Sequence, residues 1–388
     1  MMLASVGCKK PYAPSIISSN NSYLVVEGVI NSGTDSTYIK LTRTVKLSNS
    51  AAPAPELGAI VTVEGDNNNS YPISEAGNGI YSSAALNLTI GANYRLRIKT
   101  TNNKEYVSDF VPARDTPDID SLNYKVQNNG VEIYVNSHDP KNSTRYYRWD
   151  FDETFEYVSR IRSFYKIGDD GLPTYRSAYN DSDNIYYCYK FGQSHQVLLG
   201  SSAKLAQDVI AQQPVDFVAA NSGKISLVYS ILLRQYALTS DAFNYWQVLK
   251  KNTEQLGTIF DAQPSTIQGN IHCITNANEP VVGYISVSGV KTKRIILDHY
   301  YLNLYTTNPP PTDGDACMAE YIPIEPAETF KTRLQHVLFT GDSTLVNEVS
   351  QLGTGALIGY TYAPTECVDC RKVAPFGNNL VPVYWPYQ

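Results

Sequence analysis

The amino-acid sequence predicts a mainly β protein, with an N-terminal antiparallel β-sandwich of immunoglobulin-like or transthyretin-like size followed by a larger β-rich domain with one or two helices. Segments of strand composition recur roughly every 10 residues and are separated by Gly, Asn, Asp and Pro turns. The clearest helical stripe lies at residues 241–256. Hydrophobic side chains make up 43% of the 388 residues, which is enough for a packed core and excludes a disordered chain.

Residues 1–23 are predicted to hold a truncated lipoprotein signal, a lipid-anchor cysteine and a tether. The chain opens MMLASVGC, where the small Gly7 directly precedes Cys8, as at the acylated cysteine of bacterial lipoproteins. A complete signal usually has about 15–30 residues, so this one is interpreted as truncated. The polar residues 15–23 then suit an anchored domain. The alternative is an ordinary cysteine near the N-terminus.

Residues 24–113 are predicted to form the β-sandwich domain. Strand composition marks LVVEGVI, TYIKLTRTV and AIVTVEG. Asn102 and Asn103 lie between YRLRIKT and KEYVSDF and predict a hairpin, because Asn tolerates a positive φ. Pro112 and Pro117 bound a charged segment that is interpreted as a linker to the next domain.

Residues 114–388 are predicted to form the larger domain, which contains the helix at 241–256 and a disulfide-stapled tail. Ser240 can cap this helix. The stripe indicates core packing more than a ligand platform and comprises Ala242, Tyr245, Trp246 and Leu249. A weaker helical period marks residues 201–213, and IHCITN and VVGYISVSGV are expected to form a buried hairpin.

The cysteines are typical of an exported protein. If Cys8 is acylated, five cysteines remain and at most two disulfides form. Cys367 and Cys370 form a CxxC motif, but a zinc ribbon needs a second pair and a thioredoxin-like site needs a βαβ unit. We therefore favour disulfides that staple the C-terminal tail, with Cys188 and Cys317 as the partners, over a metal site.

The charge balance and the motifs argue against several functions. A net charge of -6 and a pI near 5.5 oppose nucleic-acid binding, which requires a basic face. No two histidines have the i, i+4 spacing of a zinc-protease helix, and GxSxG is absent. No catalytic residue, metal site or cofactor is assigned, and the protein is predicted not to be an enzyme.

Carboxylates keep one enzymatic alternative open. Strand alternation places Asp150 and Asp152 on the same face, where they could hold a cation or do acid–base work. Glu153 follows directly. The simpler interpretation is the solvated face of an amphipathic strand.

Tyrosine is the one positive compositional feature, with 30 residues in a chain that is only 18% charged. Tyrosine offers a large rigid ring with a hydroxyl, which suits sugars, peptides or a protein partner. The simpler explanation is that tyrosine favours strands. The candidate ligand-binding aromatics are Tyr165, Tyr175, Tyr179, Tyr186 and Tyr187.

The order of motifs resembles a known family. LVVEGVINSG, AIVTVEG, GVEIYVNSHDP, the stretch from LLRQYALTSDAFNYWQ to IFDAQPSTIQGNIH, and ECVDCR are similar to the Bacteroidota outer-membrane lipoproteins grouped as domain of unknown function 4249. Cys273 departs from the family pattern and is expected to be the unpaired thiol.

The resemblance implies a lipid-anchored outer-membrane protein, on the periplasmic or the cell-surface face, without cofactors. Members tend to be encoded beside TonB-dependent receptors, which implies a non-catalytic accessory or substrate-binding partner of such a receptor. Two alternatives remain: a structural or adhesive surface protein, and a carbohydrate- or peptide-processing enzyme that uses Asp150, Asp152 or Glu153.

Overall fold

A computed structural model describes residues 22–45, 52–176, 183–254, 268–304, 317–338, 341–372 and 377–386. The lipid-anchor candidate Cys8, the aromatic candidate Tyr179 and the last two residues of the helix predicted at 241–256 lie outside the described residues. The described chain is mainly β, as predicted, and forms two large β regions and a small third sheet. Among the described helices, none combines the length and the apolar character that crossing a bilayer requires.

The first β region is the predicted N-terminal sandwich. Its strands from this part of the chain are β1 (Leu24–Asn31), β2 (Thr37–Arg43), β3 (Ala54–Pro55), β4 (Ile60–Gly65), β5 (Ser70–Gly77), β6 (Ile80–Ser83), β7 (Asn93–Lys99), β8 (Glu105–Ser108) and β9 (Val111–Pro112). The first half of β5 pairs with β4 and the second half with β6, so β5 connects the two halves of the sandwich. Asn103 has a φ of 60° in the turn between β7 and β8, which confirms the predicted hairpin.

The second β region is built from the following elements. They are β10 (Ile119–Gln127), β11 (Gly130–His138), β12 (Tyr146–Val158), β13 (Tyr165–Ile167), β14 (Pro173–Tyr175), β15 (Tyr187–Gln193), β16 (Leu198–Ser201), β17 (Val209–Ala219), β18 (Val228–Ala237) and helix α1 (Ser240–Glu254). Strands β10, β11 and β17 form one sheet, and β12 lies between β18 and the pair β15 and β16 in another. The two sheets enclose a core that contains Ile133 and Trp149.

The remaining elements complete the two β regions and form the third sheet. They are β19 (Ile271–Cys273), β20 (Val282–Gly283), β21 (Ser286–Ser288), β22 (Val290–Asp298), α2 (His299–Leu302), β23 (Glu320–Pro323), α3 (Ala327–Leu338), β24 (Ser343–Ser350), β25 (Leu357–Pro364) and α4 (Thr365–Val368). Strand β22 pairs with β18 at the edge of the second region. Strands β23, β25 and β24 form the third sheet, against which α3 packs through Phe330 and Leu334.

Three short strands return to the first sheet. Strand β19 pairs with β8, while β20 and β21 pair with β1 in parallel. The hairpin expected from IHCITN and VVGYISVSGV is therefore wrong, and the two segments bury Ile271, Ile285 and Val287 in the core of the sandwich. The strands satisfy backbone groups at both edges of the sheet, which would otherwise be unpaired. Range 114–388 thus contributes strands to the domain predicted at 24–113.

The segment interpreted as a linker is a buried junction between the two regions. The Thr116 hydroxyl donates to the Gly289 carbonyl at 2.6 Å and lies 2.8 Å from the Ser288 hydroxyl. The Ala237 amide donates to both hydroxyl oxygens at 3.1 Å. Because Ala237 ends β18 and Ser288 ends β21, this network joins the second region to the first.

Two helical predictions need correction. The Ala242 amide donates to the Thr239 hydroxyl at 3.2 Å, so Thr239 rather than Ser240 caps helix α1. Residues 201–213 do not form a helix, because β17 begins at Val209 and pairs with β11. Pairing with a neighbouring strand outweighs a weak local period.

The C-terminal tail is held by two disulfides. Cys370 is bonded to Cys188 of β15, and Cys367 is bonded to Cys317, so both predicted tail bonds are present. Cys273 is free and buried. The tail therefore belongs to the second region although its disulfide partners lie 182 and 50 residues earlier in the chain.

The turn between β11 and β12 depends on Asp139. Its carboxylate accepts hydrogen bonds from the amides of Lys141, Ser143 and Thr144 at 2.8–2.9 Å and from the Ser143 hydroxyl at 2.7 Å. Burial alone would raise the pKa of Asp139, but these donors outweigh burial and lower the pKa from 3.8 to about 2. A folded-state pKa below the unfolded one stabilises the fold above about pH 4, and this stabilisation is lost as the pH falls toward 2.

We expect Asp139→Asn to lower the free energy of unfolding by about 1–2 kcal/mol at pH 7, because the neutral amide loses charge-assisted hydrogen bonds. The difference from the wild type shrinks as the pH falls toward about 2, the folded-state pKa at which half of the Asp139 carboxylates are protonated. Urea unfolding at pH 7, 4 and 2.5 measures both effects. Asp115→Asn, at an exposed carboxylate near Lys141, is the matched control. Equal unfolding of wild type and Asp139→Asn at pH 7 would contradict the prediction.

Candidate binding site

The tyrosines of the 146–189 stretch divide into a buried set and a more exposed set. Tyr147, Tyr157 and Tyr189 are buried in the second region. The Tyr147 hydroxyl donates to Asp208, and the Tyr157 hydroxyl donates to the Cys370 carbonyl at 2.9 Å. These tyrosines are strand residues with satisfied hydroxyls, in agreement with the simpler explanation of the tyrosine content.

The second set forms a row of contacting rings at the end of the second region. Tyr165 lies edge-on to Tyr175 and Tyr360, with ring centroids 5.5 and 5.3 Å apart. Tyr175 in turn stacks on Phe164 at 6.4 Å. Two of the predicted aromatics, Tyr165 and Tyr175, are thus brought together on the short hairpin of β13 and β14.

A cation extends this row to two further predicted aromatics. The Arg162 guanidinium lies 5.2 Å from the Phe164 ring and 5.3 Å from the Tyr186 ring, and Tyr186 meets Tyr187 edge-on at 4.8 Å. Tyr179 lies outside the described residues. We use the name aromatic row for Tyr360, Tyr165, Tyr175, Phe164, Arg162, Tyr186 and Tyr187.

One ring of the aromatic row is held by a hydrogen bond, and another is exposed to solvent. The Tyr165 hydroxyl donates to Glu348 at 2.7 Å, and this hydrogen bond raises the pKa of Tyr165 to about 12, so the phenol is protonated at neutral pH. Tyr175 is 64% exposed. The row therefore combines a hydrogen-bonded ring, Tyr165, with an exposed ring, Tyr175, and with the Arg162 guanidinium.

The carboxylates weighed for catalysis are ion-paired. Asp150 and Asp152 share one face of β12, as predicted, and both contact Arg234 of β18. The Arg234 Nε donates to Asp150 at 2.5 Å, and its terminal nitrogens donate to Asp152 at 2.5 and 2.9 Å. Hydrogen bonding to Arg234 lowers the pKa of Asp152, and the same bond is the main reason why the pKa of Arg234 is raised.

Glu153 points to the opposite face of β12, into the core. It lies 2.5 Å from the Lys224 ammonium and accepts from the Tyr229 hydroxyl at 3.0 Å. The Tyr229 hydroxyl also lies 3.2 Å from Asp216. Burial, and then the neighbouring charge of Glu153, raise the pKa of Asp216. Each of the three carboxylates weighed for catalysis thus has a cationic partner.

A cleft of about 910 Å³ lies between the first sheet and the second region. Strands β1 and β2 line one side, and β12, β18 and α1 line the other. Arg148 lies over the rings of Tyr236 and Trp246, with 4.5 Å to each centroid. Asp150 and Arg234 line the same space. This volume falls in the range of small-molecule sites, roughly 300–1,000 Å³.

The cleft was only partly foreseeable from the sequence. Asp150 was singled out there, whereas Arg148 and Arg234 were not, and the helical stripe assigns Trp246 to the core. The signal that could have indicated the cleft is the Arg148-Trp149-Asp150 alternation, which marks a strand with one ionic face and one aromatic face.

The CxxC motif is used for disulfides, since Cys367 and Cys370 each bond to a different distant cysteine. Within the described ranges, no group of three or more His, Cys, Asp or Glu side chains is placed to hold a metal ion.

The fold and these surfaces define a β-rich protein in which an N-terminal sandwich is joined to a larger, disulfide-containing β region across a cleft. The chain belongs to the family described as "Domain of unknown function (DUF4249)", whose model matches residues 9–294, well over half of the sequence. The resemblance to domain of unknown function 4249 is thereby confirmed. No curated protein matches the chain.

Comparison with solved structures gave distant similarities. A Salmonella alpha-2-macroglobulin is 9% identical, with a TM-score of 0.18 and coverage of 87% of this chain but 16% of that chain. The Yersinia pseudotuberculosis adhesin InvE is 15% identical, with a TM-score of 0.16 and coverage of 56% and 55%. A DUF3823 family protein from Parabacteroides merdae is 10% identical, with a TM-score of 0.13 and coverage of 56% and 90%.

We expect Arg234→Met to lower the free energy of unfolding by about 1–3 kcal/mol at pH 7, because it leaves Asp150 and Asp152 without their shared cation. The pKa of Asp152 is depressed in the folded state, so this stabilisation is present above the unfolded pKa and fades as the pH falls through the folded one. Denaturant unfolding from pH 7 to pH 3 measures the loss.

The matched control removes all three charges of this group. Asp150→Asn, Asp152→Asn and Arg234→Met combined are expected to unfold with a smaller loss than Arg234→Met alone, since no uncompensated carboxylate remains. A triple variant as unstable as Arg234→Met, or a single variant as stable as the wild type, would show that the ion pairs do not stabilise this face.

Proposed function

We propose that the protein is a non-catalytic lipoprotein of the outer membrane that acts as an accessory or substrate-binding partner of a TonB-dependent receptor, and that the aromatic row contacts this receptor. Membership of the DUF4249 family supports the proposal through the family resemblance, which implies such a location and such a partner. The proposed receptor contact rests on the aromatic row.

The aromatic row has the composition of a protein-binding hot spot. Tyrosine and arginine are enriched where a few residues dominate binding energy, and rings that are already fixed lose little conformational entropy on binding. The β13–β14 hairpin that carries Tyr165 and Tyr175 also carries Ile167 and Leu172, which are about two-fifths exposed. An exposed apolar patch of this kind on a folded domain is typical of an interaction site.

A non-catalytic role is supported by the ionic pairing on β12. A general acid or base needs a proton affinity near the working pH and contact with the substrate. Asp150 and Asp152 are bound by Arg234, and Glu153 is bound by Lys224 in the core. The same residues thus have a structural explanation, which makes the alternative of a carbohydrate- or peptide-processing enzyme unnecessary.

Cys8→Ser tests the lipid anchor. We expect the wild type to be recovered in the membrane fraction and Cys8→Ser in the soluble fraction, because a serine side chain carries no thioether-linked lipid and the chain loses its anchor. Cell fractionation followed by detection of the tagged protein, expressed with a complete signal, measures the distribution. Cys273→Ser, at the free buried thiol, controls for the loss of a cysteine. Membrane retention of Cys8→Ser would refute the anchor.

Tyr175→Ala tests the receptor contact. In detergent-solubilised membranes, tagged wild-type protein is expected to recover a TonB-dependent receptor, and Tyr175→Ala to recover at least about fivefold less, as expected for a hot-spot tyrosine. Quantitative mass spectrometry of the purified material measures the ratio. Tyr300→Ala, at a ring that is 83% exposed outside the aromatic row, is the matched control. Recovery of no such receptor by the wild type, or equal recovery by all three proteins, would overturn the proposal.

A further inference from the structure

We infer that the cleft between the first sheet and the second region binds a neutral oligosaccharide. This inference concerns a second surface, separate from the aromatic row, and it does not depend on the receptor contact proposed above. It rests on the charge balance of the cleft, on two aromatic side chains in its walls, on a braced polar loop and on the pairing of its strands.

The ionised side chains of the cleft balance one another. Besides His195, three acidic side chains and three lysine or arginine side chains line it: Glu27, Asp35, Asp150, Lys40, Arg148 and Arg234. Lys40 lies 3.3 Å from Glu27, while Arg234 and Arg148 lie 2.5 and 3.2 Å from Asp150. Because binding surfaces match the charge of their ligands, a lining without net charge favours a neutral ligand.

Two aromatic side chains enter the cleft from different walls. Trp246 of α1 is held by the Arg148 guanidinium at 4.5 Å, and Tyr38 of β2 is 61% exposed. Sugar rings carry C–H groups on their faces, and these pack on the electron-rich faces of aromatic side chains. Two aromatic side chains on different walls therefore offer the cleft apolar surface on which a sugar ring can pack.

The loop at 193–197 supplies polar groups to the cleft and is held by hydrogen bonds to helix α1. The Val197 amide donates to Glu254 at 2.6 Å and the Val197 carbonyl accepts from Lys250 at 2.9 Å, so the end of α1 holds the loop. Gln193 and Gln196 both line the cleft. A side-chain amide both donates and accepts hydrogen bonds, and so does a sugar hydroxyl, so the two groups suit each other. A loop that is already ordered reduces the entropy cost of binding.

The strands of the cleft leave little room for an extended peptide. Peptides bind to sheets mainly by adding a strand to a free edge. Among the described strands that line the cleft, β1, β2, β6, β12 and β18 are hydrogen-bonded to a neighbour on both sides. Strands β15 and β22 end their sheet, but they reach the cleft only through Gln193 of β15 and through Val290 and Thr292 of β22. Side-chain groups, rather than backbone groups, are therefore what the cleft offers.

The test is a glycan array followed by calorimetry on the purified chain. The probes are neutral glucan, mannan, xylan and galactan oligosaccharides of four to eight units, compared with uronate-containing and sulfated oligosaccharides and with an unstructured peptide library. We expect the wild type to bind at least one neutral oligosaccharide, and both Tyr38→Ala and Trp246→Ala to bind it at least about tenfold more weakly. Tyr38 is exposed, so its substitution keeps the inference testable if Trp246→Ala does not fold.

Tyr300→Ala is the matched control, because it removes an exposed ring that lies outside both the cleft and the aromatic row and is expected to bind the oligosaccharide like the wild type. A wild type that binds the oligosaccharide but recovers no receptor would contradict only the proposed receptor contact. A wild type that recovers the receptor but binds no neutral oligosaccharide would contradict only the inference about the cleft. The inference is overturned if the wild type binds no neutral oligosaccharide, if it binds only charged glycans or peptides, or if Tyr38→Ala binds with wild-type affinity.

Discussion

The buried hydroxyl network of Thr116 and Ser288 is the constraint on which the arrangement of the two β regions depends. Both hydroxyls accept from the single Ala237 amide, so the end of β18 is fixed to the end of β21. One continuous segment then serves both regions, since β21 pairs with β1 of the sandwich and β22 pairs with β18 of the second region. A buried polar network that is fully satisfied holds one geometry in place of several.

The ionic face of β12 has a consequence beyond stability. Arg234 and Arg148 together balance the charges of Asp150 and Asp152, and the guanidinium of Arg148 also lies over two aromatic rings. The opposite face of the same strand carries Trp149 and Glu153, which are buried. Alternation from Tyr146 to Glu153 therefore separates a cleft-facing side of β12 from a core side, and the charges of the cleft-facing side are satisfied within the protein.

Local patterns in the sequence were enough to predict the β class, the hairpin at Asn103 and the main helix, because each depends on neighbouring residues. The partners of the CxxC cysteines could also be predicted, because few other cysteines were available. The parallel pairing of β21 with β1 could not be predicted, because the register between segments some 250 residues apart leaves no local signal in the sequence. Helix α3 was missed although Phe330 and Leu334 have helical spacing after Pro326, a signal that closer reading could have found.

The two surfaces are connected by the same pair of strands. Strands β12 and β15 run antiparallel, so Asp152 lies opposite Gln193 at the cleft end, and Val158 lies opposite Tyr187 at the end that carries the aromatic row. Six residues of extended strand separate Asp152 from Val158, which corresponds to about 20 Å. The aromatic row and the cleft are therefore separate surfaces on one pair of strands.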